Sequence, residues 1–168
     1  AGSAAAGSGD LEAAHQVGAA PRGVGKMVTK AGRLVTHAEK ARLRQLVEEI
    51  ERETQVEIAT LVVPHVDDLE KFATAYFNHL GIGKREHHNG VLIVVAVDRR
   101  QVRIEVGRGL EDVVTRDAAA AIIAEVMAPE LRRGRYGEGL IRGVDAAGAL
   151  VRAAGGSPRR DHGEPREA

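Results

Sequence analysis

The sequence predicts an α/β fold: a single three-layer αβα sandwich in which a small mixed sheet is flanked by helices on both faces. Two apolar, β-branched runs, 56–63 and 91–97, have the composition of strands that are buried on both faces. A third run, 102–106, alternates apolar and charged residues as a half-exposed strand does. Segments with apolar residues at helical spacing precede, separate and follow these strands.

The first predicted helix spans Thr36 to about Thr54. Thr36 stands three residues before Glu39, the spacing of a capping box in which each side chain bonds the backbone amide of the other residue. The helix leads into the strand 56–63, which Pro64 ends because proline cannot donate to a strand ladder.

The second predicted helix lies between the two apolar strands, so that strand, helix and strand form one right-handed parallel crossover. Asp67 or Asp68 is expected to cap its start, and Gly81 to end it. The strand 91–97 then turns back into the strand 102–106, and we expect the two to form an antiparallel hairpin.

Two further helices complete the predicted fold. One runs from about Thr115 to Met127 and should end before Pro129, which breaks helices. The other runs from about Tyr136 to Ala153, with apolar residues repeated along one face. The predicted order is helix, strand, helix, strand, strand, helix, helix.

The chain divides into three predicted parts. Residues 1–23 are rich in Ala, Gly and Ser and form a flexible N-terminal segment, residues 24–154 form the α/β domain, and residues 155–168 form a flexible tail. The low-complexity start at Ala1 is typical of a processed terminus. A cleaved signal peptide or a trimmed membrane anchor is therefore left open by the residues alone.

The composition argues against several classes of function. Basic and acidic residues number 24 each, so there is no basic excess for nucleic acid. No cysteine is available for a disulfide, a thiol nucleophile or a Cys-ligated zinc. The three serines, Ser3, Ser8 and Ser157, lie in the predicted tails and form no nucleophile elbow. No apolar run reaches the roughly 18 residues of a membrane span, and the neutral, aromatic-poor composition favours a monomer.

Five segments occur in a characteristic order and spacing: VTKAGRL (28–34), NGVLI (89–93), DRR (98–100), VRIEVGRGLE (102–111) and PELRRGRY (129–136). They resemble the TPM-domain family, named for a thylakoid-lumen phosphatase, a photosystem repair factor and a nematode receptor accessory protein. The resemblance extends from about Val28 to Val151 and implies a sheet between helices. It also implies divergent activities: acid phosphatases, calcium-binding domains, and accessory, repair or chaperone-like factors, many of them exported or membrane-anchored. Together with the start at Ala1, the resemblance implies an exported, periplasmic or extracytoplasmic protein whose signal or anchor is missing from this chain.

Two basic residues stand where the resemblance implies acids. Lys30 ends the first motif, and Arg116 follows the fourth, at positions where relatives usually carry Asp. A cationic side chain repels a divalent cation and offers it no oxygen ligand. We therefore expect no cofactor; the alternative is calcium held by Glu111, Asp112 and Asp117.

A candidate binding site is expected where the second apolar strand begins and the third strand ends. Five residues should gather there: Asn89, Gly107, Gly109, Glu111 and Arg116. They could bind an ion or a phosphate, with Arg116 near the start of a helix that attracts an anion. The alternative is local structure, in which these residues make turns, bond backbone and favour a helix start. No catalytic residue is predicted.

Two other polar features have structural and functional interpretations. His87 and His88, together with His65 or His79, could bind a transition metal, but their spacing matches no zinc pattern and favours a solvated loop. Asp98 follows the second apolar strand, where open α/β sheets place ligands. A role in the turn is the favoured interpretation.

The resemblance, together with the two acid-to-base changes and the lack of a nucleophile, implies a non-catalytic, exported accessory domain with a chaperone-like or repair and assembly role. Its partners would be protein clients or a membrane protein complex. The alternative is a divalent-metal (calcium)-binding acid phosphatase-like domain. A third hypothesis is a purely structural domain.

Overall fold

The structure of the protein, a computed structural model, describes residues 27–29 by their backbone and residues 34–83 and 88–155 with their side chains. Within these residues one mixed sheet has the strand order β1-β2-β3-β4. The first three strands are parallel and β4 is antiparallel to β3, so β4 forms one edge of the sheet. The strands are β1 (Met27–Thr29), β2 (Glu57–Val63), β3 (Gly90–Ala96) and β4 (Gln101–Val106).

Helices cover both faces of the sheet, which confirms the predicted fold class. A π-helical segment, Ile122–Met127, joins α3 to α4, and we call the three together the composite helix. None of the described helices is long and apolar enough to cross a membrane. The helices are α1 (His37–Thr54), α2 (Leu69–Leu80), α3 (Arg116–Ala121), α4 (Ala128–Arg132) and α5 (Tyr136–Ala153).

The two faces of the sheet pack into separate hydrophobic cores. Val91, Ile93 and Val95 of β3 contribute to the larger core, which α1, the composite helix and α5 cover. Leu92 and Val94 point to the opposite face, where α2 covers the smaller core. Every residue of β3 is buried, as a central strand between two helical layers requires.

The predicted starts of the first two helices are confirmed. The Thr36 hydroxyl accepts the N–H of Glu39 at 3.1 Å, and the Glu39 carboxylate accepts the N–H of Thr36 at 3.0 Å. Of the two aspartates considered for α2, Asp68 is the cap, and it accepts the N–H of Lys71 at 3.1 Å. Gly81 ends α2 in the left-handed conformation.

The predicted end of the third helix was wrong, because the composite helix continues past Pro129 to Arg132. In a regular α-helix the proline ring would clash with the carbonyl four residues earlier. Here the N–H of Ala128 bonds the carbonyl of Ile123, five residues earlier, at the end of the π-helical segment. This wider turn lets the chain accommodate the proline without ending.

Sequence analysis also missed the strand β1. Its three residues pair in parallel with β2, with Val28 opposite Leu61. Three residues are too few to show a strand periodicity, so only the neighbouring strand identifies the segment as part of the sheet.

Candidate functional site

The predicted site lies where β3 begins and β4 ends, at a place that we call the glycine end of the sheet. Gly83, Gly90 and Gly107 approach neighbouring backbone there. A Cβ atom on Gly83 would lie 2.6 Å from the nitrogen of Gly90, and one on Gly107 would overlap the carbonyl of His88. Such close backbone contact leaves no room for a side chain.

Asn89, a predicted binding residue, is completely buried at the glycine end. Its side-chain amide donates to the carbonyl of Gln55, just before β2. Its backbone carbonyl accepts the N–H of Glu57 at 3.1 Å. Asn89 therefore ties the start of β2 to the start of β3.

The two predicted binding glycines also contact the chain itself. The N–H of Gly107 donates to the carbonyl of Gly90 at 2.8 Å, and the N–H of Gly109 donates to the carbonyl of His88 at 3.1 Å. These bonds fix the segment after β4 against the segment before β3.

Glu111 and Arg116 are brought together on a groove of about 510 Å³, which we call the edge groove. Asp112 and Asp117 are exposed and do not line it, so of the three predicted metal ligands only Glu111 does. Asp117 lies in the first turn of α3. The edge groove is lined by Val102, Arg103, Ile104, Glu105, Val106, Glu111, Val114, Thr115, Arg116, Ala119, Ala120 and Ile123.

The edge groove carries two positive and two negative side chains. The Nε atom of Arg103 lies 3.4 Å from a carboxylate oxygen of Glu105, and its guanidinium also lies 3.9 Å from Glu70 on α2. Arg116 and Glu111 form no ion pair with any residue that the structure describes. These charges balance, so the groove has no excess of negative charge to attract a divalent cation.

The described residues contain no cluster of side chains that supports either metal hypothesis. Within 34–83 and 88–155, no three His, Asp or Glu side chains are grouped so that they could hold a metal ion. Lys30 and His87 lie outside the described residues. His65 follows β2 while His88 precedes β3, at opposite ends of parallel strands about 20 Å long. The suggested grouping of His65 with His88 was therefore wrong.

A second polar cluster lies where β2 and β3 end, at a place that we call the histidine end of the sheet. The Nδ1 atom of His65 bonds the carboxylate of Asp98, and its Nε2 atom lies 2.9 Å from a carboxylate oxygen of Asp67. The Arg99 guanidinium donates to the backbone carbonyl of Asp67 at 3.3 Å.

The contacts of this cluster change the acidity of its members. The hydrogen bond to Asp98, and then the one to Asp67, raises the pKa of His65. The same histidine lowers the pKa of the Asp98 carboxyl. Both shifts favour the charged pair, an imidazolium beside a carboxylate.

Sequence analysis assigned these three residues separately and did not combine them. One signal was available: His65 and Asp98 each follow the end of one of two adjacent parallel strands, and such ends meet at one edge of a sheet. The contribution of Asp67 required the path of the loop before α2, which no pattern in the sequence gave.

The chain is similar to known proteins in both sequence and structure. A model of the TPM domain matches residues 28–150. The solution structure of the N-terminal domain of a protein from P. gingivalis is 31% identical, with a TM-score of 0.69 and coverage of 75% of this chain and 81% of that one. The BA42 protein from the psychrophilic bacterium Bizionia argentinensis is 27% identical, with a TM-score of 0.64 and coverage of 79% and 90%.

A more distant structure shares the fold. The N-terminal domain of the cg2496 protein from Corynebacterium glutamicum is 14% identical, with a TM-score of 0.57 and coverage of 72% of this chain and 76% of that one. No curated protein matches the sequence.

Proposed function

Because the chain belongs to the TPM domain family, we propose that it is a non-catalytic, exported accessory domain that helps membrane or envelope proteins to fold, assemble or be repaired. Its partners would be segments of protein clients or of a membrane protein complex.

The composition of the edge groove carries this proposal. The groove is lined by two basic residues, Arg103 and Arg116, by two acidic residues, Glu105 and Glu111, and by apolar side chains of β4 and the composite helix. A phosphate or a calcium ion is selected by an excess of one charge. A polypeptide presents both charges together with apolar side chains, so it matches a groove of mixed composition.

An aggregation assay tests the accessory role. The chain should suppress the heat-induced aggregation of an unrelated client protein in proportion to its molar ratio. The double variant Glu111→Ala/Arg116→Ala should lose at least half of that effect, because it removes the two charges that have no ion pair among the described residues. Arg132→Ala, an exposed change on α4 outside the groove, is the matched control. A flat response at every molar ratio would refute the proposal.

The second candidate function is that of a divalent-metal, calcium-binding acid phosphatase-like domain. The histidine end favours the phosphatase activity and not the metal site, because no group of described side chains could hold a metal ion. His65, Asp67 and Asp98 gather where two parallel strands end, a common place for ligands in open α/β sheets. Hydrolysis of p-nitrophenyl phosphate, measured with and without added calcium, tests this function. Activity that is lost in Asp98→Asn and kept in Glu111→Ala would support it, and its absence from the unchanged protein would reject it.

A further inference from the structure

Among the described residues, no strand pairs with the backbone groups on the outer side of β4. The N–H of Gly107 bonds the carbonyl of Gly90, and hydrogen-bonded pairs alternate along an antiparallel ladder. Every second residue before Gly107 therefore directs its backbone groups to β3, namely Glu105, Arg103 and Gln101. The three residues between them direct their backbone groups outward. The outward residues are Val102, Ile104 and Val106.

The edge groove follows this outer side. Its lining includes every residue from Val102 to Val106, and successive residues of a strand point to opposite faces of the sheet. The groove therefore runs along the edge of β4 rather than over one face. Across from β4, the helical wall has the small residues Ala119 and Ala120 beside the apolar Ile123, which leaves depth for the side chains of an incoming segment.

We propose that the edge groove binds an extended segment of a partner protein as an added antiparallel strand beside β4. The segment would carry the pattern apolar, basic, apolar, acidic, apolar from its N-terminal to its C-terminal end. This inference rests on the proposed accessory function and specifies how the domain holds its partner.

The register of the added strand gives this pattern. Partner residues opposite Val102, Ile104 and Val106 share their face of the sheet, which packs into the larger core, and so are apolar. The residue opposite Arg103 is acidic and the one opposite Glu105 is basic, because opposite charges stabilise a cross-strand pair. The backbone bonds supply the affinity and the side chains supply the selectivity.

A second copy of the chain is the competing occupant, since 102–106 itself reads Val-Arg-Ile-Glu-Val. Pairing two copies of β4 requires a two-fold axis perpendicular to the joined sheet. Both composite helices would then lie on one face at the junction, each next to the other copy's edge. A segment without a helix avoids this crowding, which favours the partner segment.

Two end-capped peptides of equal composition test the proposal, one with the core Val-Lys-Val-Glu-Val and one with the core Val-Glu-Val-Lys-Val. In NMR titrations of the full chain, the first should bind about tenfold more tightly, because it forms two attractive cross-strand pairs where the second forms two repulsive ones. Its binding should shift the amide signals of Val102, Ile104 and Val106 and protect these amides from exchange. The double variant Arg103→Glu/Glu105→Arg, checked for folding by circular dichroism, should prefer the second peptide.

Several outcomes would overturn the inference. These are equal affinities, a preference of the unchanged chain for the second peptide, shifts confined to residues away from β4, or sedimentation showing that the chain pairs with itself and excludes both peptides. If neither peptide binds while the chain still suppresses client aggregation, strand addition fails and the accessory function stands. If aggregation is not suppressed, the accessory function fails whatever the peptides do.

Discussion

The two ends of the sheet are held together by different kinds of interaction. At the glycine end, backbone packs against backbone. The side-chain amide of the buried Asn89 donates to the carbonyl of Gln55, just before β2. At the histidine end, His65, Asp67 and Asp98 interact through side chains that are 52%, 82% and 40% exposed.

Because of this difference, the glycine end should determine the stability of the domain, whereas the histidine end should determine the protonation of its own side chains. A buried backbone contact has no solvent to replace it, so a change at the glycine end should destabilise the whole domain. Exposed ion pairs contribute little to stability because water and salt compete with them. Changes at the histidine end should therefore act chiefly on protonation, and the following variants test the contrast.

Gly107→Ala should have the largest effect. The backbone of Gly107 has an ordinary φ of −65°, so the added methyl group fails only for lack of space against the His88 carbonyl. We expect a loss of about 3 kcal/mol in the free energy of unfolding, the upper part of the range for overpacking. Urea denaturation followed by circular dichroism measures it.

Gly81→Ala is the matched control for this prediction. Gly81 has a φ of 57° but no atom within 4 Å of an added Cβ, so only its left-handed conformation opposes the change. The expected loss is about 1 kcal/mol. If Gly107→Ala costs no more than Gly81→Ala, close packing does not distinguish the glycine end.

Asn89→Ala should come next. The change removes the amide of a completely buried side chain and its partly buried hydrogen bond to the Gln55 carbonyl, and such a loss costs about 1.5 kcal/mol. Asn78→Ala, on the exposed side of α2, should change the free energy of unfolding by no more than about 0.5 kcal/mol. Equal stabilities of the two variants in urea would contradict a structural role for Asn89.

The helices and strands were predicted well from the sequence because the residues that define their limits are local. The capping box at Thr36, the break at Gly81 and the limits of α5 at Tyr136 and Ala153 each depend on a few neighbouring residues. The π-helical segment before Pro129 was not predictable in this way, because a helix past proline depends on packing around it.

The candidate site was harder to predict than the fold. Spacing alone placed Glu111 and Arg116 near one another, and they do share a groove. Asn89 was predicted as a binding residue or a turn residue, and nothing in the spacing indicated that it is buried and bonds the carbonyl of Gln55, which lies 34 residues away along the chain. The histidine end likewise depends on contacts between separate strands and loops.

Asp98→Asn tests the histidine end. Because the pKa of His65 is raised in the folded protein, its contribution to stability is present below about pH 6.5 and is lost as the pH rises through the folded-state pKa. The pKa of Asp98 is lowered, so its contribution is present above about pH 3.9 and is lost as the pH falls through its folded-state pKa.

The Asp98→Asn variant should therefore show a lower pKa of His65 in an NMR titration and a smaller fall in stability above about pH 6.5. Thermal unfolding across the pH range measures the second effect. An unchanged pKa of His65 would show that the bond to Asp98 is absent in solution.

Asp67→Asn should give the smallest effect, in the same direction. Asp67 is the weaker of the two carboxylate influences that raise the pKa of His65, and its side chain is the most exposed of the cluster. Water and added salt already compete for an exposed carboxylate, so less of its interaction is available to lose. The pKa of His65 should fall less than in Asp98→Asn, and the difference between Asp67→Asn and the unchanged protein should shrink further in 1 M salt, where screening acts within about 3 Å. A larger fall in Asp67→Asn than in Asp98→Asn would mean that His65 is held chiefly by the loop before α2 and not by the turn after β3.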